Sequence, residues 1–183
     1  MCDVRKNGSL AFHSKRCSAQ LCLAAVLTGL FLPSAFAAAP PENRQAPPFE
    51  IKSFDGAKFS SENTRGKVVL LTFWATWCHF CLEEMPALEK FYRAHHPDGL
   101  EVLAINIDDS ADLARLKSLT QSYSFPYALI SASNIGNYGS ISFVPMTFVI
   151  DRKGILRKSA WPGTEKINTA SLNKYVQPLL RER

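Results

Sequence analysis

Two cysteines separated by two residues, Cys78 and Cys81, lie between a short apolar run and a longer amphipathic stretch. The apolar run, residues 68–74, has the composition of a buried central strand. The stretch from His79 to His95 repeats its apolar residues at helical spacing. The sequence therefore predicts a strand–turn–helix unit that presents the cysteine pair at a helix N-terminus, and such a unit is typical of α/β folds.

The remainder of the chain continues the alternation of strands and helices. A hairpin is predicted over 49–59 around Asp55-Gly56. Further strands are predicted at 100–107, 125–130, 146–150 and 155–160, helices at 111–123 and 164–180 with Thr164 as the N-cap, and irregular chain at 135–140. This order predicts a mixed sheet covered by helices over 49–183.

Residues 1–37 have the pattern of a secretory signal peptide. A basic region ending in Lys15-Arg16 precedes an uncharged apolar run and the small-residue sequence Ala35-Phe36-Ala37. Cleavage is expected after Ala37. An uncleaved membrane anchor is the alternative, because the apolar stretch reaches about the 20 residues that span a bilayer. In either case the domain lies outside the cytoplasm, after a Pro-rich, extended linker over 38–48.

Composition and cysteine usage exclude several classes of protein. The chain has 183 residues and a net charge of +5, most of which lies in the first 37 residues. No basic stripe with interleaved aromatic residues follows, so binding to nucleic acid is not indicated. Three of the five cysteines, Cys2, Cys17 and Cys22, lie in the signal segment. The remaining pair cannot provide the multi-disulfide framework that holds small secreted domains together.

The position of the pair favours redox chemistry. Unpaired N–H groups and the positive end of the helix dipole stabilise a thiolate at Cys78 and lower its pKa. That thiolate can attack a disulfide, and Cys81 can then resolve the mixed disulfide. A C-x-x-C motif can also form half of a zinc site, but zinc needs four ligands and the domain has no further cysteine.

The run Phe73 to Pro86, F-W-A-T-W-C-H-F-C-L-E-E-M-P, resembles the active-site segment of thioredoxins. It is most similar to the exported TlpA/ResA-like branch, which is associated with cytochrome c maturation and other periplasmic disulfide reduction. The run from Phe143 to Asp151, which contains Val144-Pro145, strengthens the resemblance. In this family the matching proline is cis and faces the cysteine pair, so the resemblance implies a cis Pro145 whose preceding backbone is free to pair with a substrate chain.

The resemblance also bears on the residues around the pair. Cytosolic thioredoxins carry a buried aspartate where this chain has Thr72, whereas the TlpA/ResA-like branch matches at Glu84. On a helix Glu84 lies on the same side as Cys81, so a partly buried carboxyl there could carry the proton of that thiol. A cationic His79 would favour the thiolate and an oxidising couple.

Trp77 is predicted to contact substrate. Phe80 occupies the place just before the second cysteine, where oxidases and isomerases carry histidine. The redox direction therefore stays open at this point.

The resemblance implies a thioredoxin-like fold over 49–183, which is a three-layer α/β/α domain with a central mixed sheet and an N-terminal β-hairpin extension. It also implies a periplasmic enzyme that reduces disulfides of exported clients, such as apocytochrome c or a copper-site protein. Such an enzyme needs no metal and no organic cofactor, but it needs a membrane electron donor, because the periplasm is kept oxidising. Three alternatives are a disulfide-forming oxidant, a thiol peroxidase, and a copper chaperone that uses the two thiols with a distant histidine, His95 or His96.

Overall fold

The computed structural model describes residues 38–108, 112–161 and 165–182. The strands in these ranges are β1 Arg44–Gln45, β2 Glu50–Ser53, β3 Lys58–Ser60, β4 Val68–Trp74, β5 Leu100–Asn106, β6 Tyr127–Asn134, β7 Met146–Ile150 and β8 Ile155–Trp161. The helices are α1 His79–His95, α2 Leu113–Thr120, α3 Thr169–Tyr175 and α4 Gln177–Arg181. The strands form one mixed sheet in the order β1-β8-β7-β4-β5-β6-β2-β3, which confirms the predicted α/β class.

Strand β4 lies near the middle of the sheet, parallel to β5 and antiparallel to β7. Its side chains alternate between two hydrophobic clusters, as the period of a strand requires. Val68, Leu70 and Trp74 face one cluster, whereas Val69, Leu71 and Phe73 face the other. All seven residues of β4 are buried, so hydrophobic burial on both faces fixes the strand from which the cysteine pair emerges.

The two faces of the sheet are covered by different kinds of structure. All four described helices contribute apolar side chains to the cluster that contains Trp74. The opposite cluster is closed by the β2–β3 hairpin, the segment that precedes it, and the turn around Tyr138. The buried hydroxyl of Tyr138 donates a hydrogen bond to the carbonyl of Pro47 at 2.8 Å. The third layer, as far as the structure describes it, is therefore built from a hairpin and loops.

Residues 38–48, predicted to be an extended linker, contain a turn at 42–43, where Asn43 has a φ of 60°, and a short strand that joins the sheet. Arg44 and Gln45 pair with β8 in the antiparallel direction. The N–H of Asn43 donates to Leu156 at 2.7 Å, and the hydroxyl of Ser159 donates to Pro40 at 2.6 Å. This segment therefore covers the outer edge of β8, which would otherwise expose unpaired backbone groups.

The predicted C-terminal helix over 164–180 is wrong in its start and in its continuity. The first helix begins after Asn168, whose side chain accepts a hydrogen bond from the Ser171 N–H, while the Ser171 hydroxyl accepts one from the Asn168 N–H. This reciprocal cap satisfies two free backbone donors and fixes the helix start. Pro178 lies in the first turn of α4, where its missing N–H is tolerated. Thr164, the predicted N-cap, lies outside the described residues.

Two other predicted elements differ at their ends. Strand β6 begins at Tyr127, after Pro126, and runs on to Asn134, because β2 pairs with its second half. Helix α2 is shorter than predicted and is capped by the side chain of Asp112. No helix among the described residues has the length and apolar character needed to cross a bilayer. The predicted signal segment 1–37, with its three cysteines, lies outside the described residues.

Candidate active site

Cys78 and Cys81 form a disulfide at the N-terminus of α1, with their Cα atoms 5.3 Å apart. Cys78 is the N-cap of the helix, and its Sγ accepts a hydrogen bond from the Cys81 N–H at 3.1 Å. This N–H is one of the donors that the first turn of a helix leaves unpaired. When the disulfide is reduced, the same donor and the helix dipole stabilise a thiolate on Cys78.

Exposed aromatic residues border the buried disulfide. Both cysteines are almost inaccessible, whereas Trp77, just before Cys78, and Phe80, just before Cys81, are 68% and 57% exposed. Phe143, two residues before Pro145, is 52% exposed. Large apolar side chains exposed next to a reactive group are typical of a surface that contacts another polypeptide.

The Val144–Pro145 peptide bond is cis, as the resemblance implies. Met146, the next residue, begins β7 and pairs with Phe73 in β4. Pro145 therefore lies at the edge of the sheet from which the chain leaves β4 toward the cysteine pair. Val144 packs against the cluster that contains both cysteines.

Thr72, at the position where cytosolic thioredoxins carry aspartate, forms a hydrogen bond with a second threonine. Thr72 in β4 lies opposite Thr147 in β7, and the Thr147 hydroxyl donates to that of Thr72 at 2.8 Å. Both residues are buried. Threonine hydroxyl groups carry no titratable proton near neutral pH. A proton carrier for the cysteines therefore has to come from another element.

Glu84 meets the requirements for that carrier. It lies one helical turn after Cys81, it is only 4% exposed, and its Oε1 accepts a hydrogen bond from the Ile167 N–H at 3.0 Å. Burial raises the pKa of Glu84 from 4.5 to about 7. The Ile167 N–H and the charge of Lys166 lower the pKa, and the charge of Glu83 raises it, but burial is the largest effect. A carboxyl that titrates near neutral pH can both accept and return a proton.

We expect Glu84→Gln to stabilise the folded protein at pH 8 and to have little effect at pH 4. The pKa of Glu84 is higher in the folded than in the unfolded chain, so its favourable contribution is complete below about pH 4.5 and is lost as the pH rises to about 7. The difference in unfolding free energy approaches roughly 3 kcal/mol at pH 8, from about 1.4 kcal/mol per pKa unit. Denaturant unfolding at the two pH values measures it.

Glu83→Gln is the matched control for this stability measurement. Glu83 neighbours Glu84 on the helix, but its pKa is lowered by its hydrogen bond to Lys166. Its removal is therefore expected to give no gain in stability at pH 8. An equal gain in the two variants, or a gain in Glu84→Gln that does not depend on pH, would contradict the raised pKa of Glu84.

His79 contacts a carboxylate. Its Nε2 lies 3.1 Å from Oε1 of Glu83, and the other oxygen of Glu83 lies 3.1 Å from Nζ of Lys166. Lys166 Nζ is also 5.1 Å from the centre of the Phe80 ring. Glu83 is thus exposed, and it is paired on both oxygens.

The distant histidines lie far from the cysteine pair. His95 is 14 residues beyond Cys81 on α1, which at 1.5 Å per residue is about 21 Å. It pairs with Asp98, and His96 contacts the carbonyl of Leu100. Within the described ranges, no three His, Cys, Asp or Glu side chains come together to hold a metal ion. The two thiols and these histidines therefore do not form one site.

A disulfide at the N-terminus of a helix, beside a cis proline and a buried carboxyl, defines the chain as a thiol–disulfide oxidoreductase. The sequence model of the AhpC/TSA family matches residues 43–159, and the chain belongs to this family. It is 37% identical over 119 residues to the thioredoxin-like protein YneN of Bacillus subtilis (strain 168). That match covers 63% of this chain and 69% of YneN.

Two further comparisons agree with this class. The chain is 34% identical over 114 residues to the thiol-disulfide oxidoreductase ResA of Bacillus thuringiensis (strain Al Hakam), which covers 61% of this chain and 64% of ResA. A thiol:disulfide interchange protein of the thioredoxin family from Chlorobium tepidum TLS superimposes with a TM-score of 0.63 and 26% identity, over 78% of this chain and 99% of that one. These matches confirm the thioredoxin-like fold and the predicted resemblance to ResA-like proteins.

Four groups at the site are not apparent from the sequence. The hydroxyl of Thr147, the N–H of Ile167, the ammonium group of Lys166 and the exposed ring of Phe143 each belong to a segment far along the chain from the cysteines. Phe143 is the easiest of the four to find from the sequence, because it begins the same run that contains Pro145. The contacts of the others depend on strand register and on how the chain packs against α1.

Proposed function

We propose that this chain is an exported enzyme that reduces disulfides in client proteins outside the cytoplasm, as in cytochrome c maturation. The observation that carries the proposal is the buried carboxyl of Glu84, which lies one helical turn after Cys81 and titrates near pH 7. The similarity to relatives such as the thiol-disulfide oxidoreductase ResA supports the class of reaction. The substrate, the direction and the location belong to the proposal.

The reaction proceeds in two exchanges. In the dithiol form, the thiolate of Cys78 attacks one sulfur of a client disulfide, which forms a mixed disulfide and releases the other sulfur as a thiolate that takes a proton. Cys81 then gives its proton to Glu84 and attacks Sγ of Cys78. The second client sulfur leaves as a thiolate and takes the proton that Glu84 holds, and the Cys78–Cys81 disulfide forms. The client gains two electrons and two protons, and the enzyme is oxidised.

Two features favour reduction of clients over oxidation. A couple becomes a strong oxidant when its reduced, thiolate form is stabilised. The carboxylate of Glu84 lies on the face of α1 that carries Cys81, and its negative charge opposes a thiolate there. His79, the residue that could stabilise the Cys78 thiolate, contacts Glu83.

The aromatic border of the site supports a protein client. Trp77, Phe80 and Phe143 supply a broad apolar contact surface, and the backbone at Val144, ahead of the cis proline, can pair with an extended segment. The client class is an exported protein whose cysteines must be free before they bind a haem or a metal. A membrane dithiol donor returns the enzyme to its reduced form by reversing the same exchange.

The location outside the cytoplasm is supported by the signal pattern of residues 1–37. The folded domain begins soon after that segment in the sequence, since Arg44 and Gln45 already pair with β8. A domain that reduces disulfides in an oxidising compartment depends on a membrane donor, and the alternative of an uncleaved anchor would keep the domain close to that donor.

The reduction potential of the Cys78–Cys81 couple in the purified domain tests the direction. We expect a value near or below about −250 mV, at the thioredoxin end of the range. Equilibration with glutathione or dithiothreitol buffers, followed by alkylation and mass measurement, gives this value. A potential near about −120 mV would show that the protein forms disulfides and would reject the proposed direction.

A further inference from the structure

The loop before α3 touches α1 at two adjacent residues. The N–H of Ile167 donates to Oε1 of Glu84 at 3.0 Å, inside the protein, and Nζ of Lys166 lies 3.1 Å from Oε2 of Glu83 at the surface. Ile167 is buried, whereas the Lys166 side chain is 64% exposed. The loop therefore contacts both carboxyl groups. The Ile167 N–H donates a hydrogen bond to Glu84, and the Lys166 ammonium group forms an ion pair with Glu83.

Two charges of opposite sign act on Glu84 from this contact. Lys166, from the loop, favours the ionised carboxylate, and Glu83, from the same helix, disfavours it. The cluster beneath α1 consists of apolar side chains together with the two cysteines. Lys166 and Glu83 also pair with each other, so each reduces the effect of the other on Glu84.

We propose that Lys166 and Glu83 are an opposed pair of positioning residues that control proton transfer at Glu84. The proposal rests on the proposed role of Glu84 as proton carrier for Cys81. At a given pH, Lys166 keeps a larger fraction of the Glu84 carboxyl ionised and so available to accept a proton, and Glu83 opposes that effect by pairing with the ammonium group. The balance keeps Glu84 able both to take the proton of Cys81 and to return it.

The two single variants distinguish this role from a structural one. Lys166→Met and Glu83→Gln break the same ion pair, so a purely structural clamp would respond to both in the same direction. Opposed charges predict opposite responses. The midpoint of Glu84 ionisation is expected to rise in Lys166→Met and to fall in Glu83→Gln, each by a few tenths of a pH unit, because exposed charges are screened by water and salt.

The experiment is a pH titration of the Glu84 side-chain carboxyl by ¹³C NMR in the oxidised full domain, with Glu84→Gln to assign the signal. Lys166→Arg is expected to retain the wild-type midpoint. Lys174→Met is the matched control, because Lys174 is 62% exposed and pairs with Glu165, the residue before Lys166, but is not among the charges that act on Glu84. It is expected to leave the midpoint unchanged. Both shifts are expected to shrink strongly in 1 M salt, where the screening length is about 3 Å.

The pH dependence of client reduction, measured on the same variants with a peptide that contains one disulfide, separates this inference from the function it rests on. Opposite midpoint shifts with matching shifts in the rate profile support both. Opposite midpoint shifts with an unchanged rate profile support the charge pair and reject Glu84 as the proton carrier. Midpoints that do not move, or that move in the same direction, overturn the inference whatever the rates do.

Discussion

Replacing Cys78 by serine is expected to reduce disulfide exchange by this protein to the uncatalysed rate. The attacking group is the thiolate at the helix N-terminus, where the Cys81 N–H meets its sulfur at 3.1 Å. A serine hydroxyl cannot ionise there near neutral pH, and no disulfide can form with it. The measurement is the rate at which a disulfide-bonded peptide is reduced when dithiothreitol regenerates the enzyme.

The control for this prediction has to exclude the other thiols of the chain. A variant with Cys2, Cys17 and Cys22 replaced by serine is expected to keep full activity, because these residues lie in the predicted signal segment. Thermal unfolding of Cys78→Ser, compared with the reduced wild-type protein, shows whether the variant is folded. Turnover retained by a folded Cys78→Ser variant would show that another group starts the reaction.

The parts of the fold that were predicted well are those determined by local pattern. Strand β4 and helix α1 have the predicted bounds. The seven residues of β4 are nearly all apolar, as in a buried strand, and the 17 residues of α1 repeat their apolar positions with a 3.6-residue period. The cysteine pair follows from the same pattern, since it lies between the two elements. The cis bond before Pro145 came from the family resemblance and could not be deduced from spacing.

The parts that were missed depend on contacts between distant segments. The second half of β6 is a strand because β2 pairs with it, and residues 44–45 are a strand because β8 offers a free edge. Neither segment contains a sequence pattern that identifies the strand with which it pairs. The C-terminal helix is a different case, because Asn168 with Ser171 and Pro178 were readable signals of a later start and a break that apolar spacing alone concealed.

The residues of the candidate active site also fall into these two groups, those indicated by the sequence and those whose role depends on contacts with distant segments. Glu84 was identified from the family resemblance and from its place three residues after Cys81, but its hydrogen-bond donor is the N–H of Ile167, 83 residues further along the chain. Burial is what raises its pKa, so the sequence indicated the group and the packing supplies its chemistry. His79 shows the reverse case, because its place in the motif suggested an effect on sulfur and its partner is Glu83.

Cys81→Ser is expected to accumulate a mixed disulfide between Cys78 and its client. The first exchange needs only the Cys78 thiolate, and the residue that releases the client is absent. The serine N–H still donates to Sγ of Cys78, so the attacking group keeps its environment. Most of the variant is expected to carry one client chain per molecule after incubation with the disulfide-bonded peptide, as seen by mass spectrometry without reductant.

The double variant Cys78→Ser/Cys81→Ser is the control, and it is expected to trap nothing. Dithiothreitol is expected to release the adduct from Cys81→Ser, and peptide mapping is expected to place it on Cys78. An adduct on Cys81 of the Cys78→Ser variant, with none on Cys78 of Cys81→Ser, would reverse the two roles. That outcome would also remove the reason for a proton carrier beside Cys81, because the sulfur that resolves the exchange would then be the one at the helix N-terminus, where the thiolate is already stabilised.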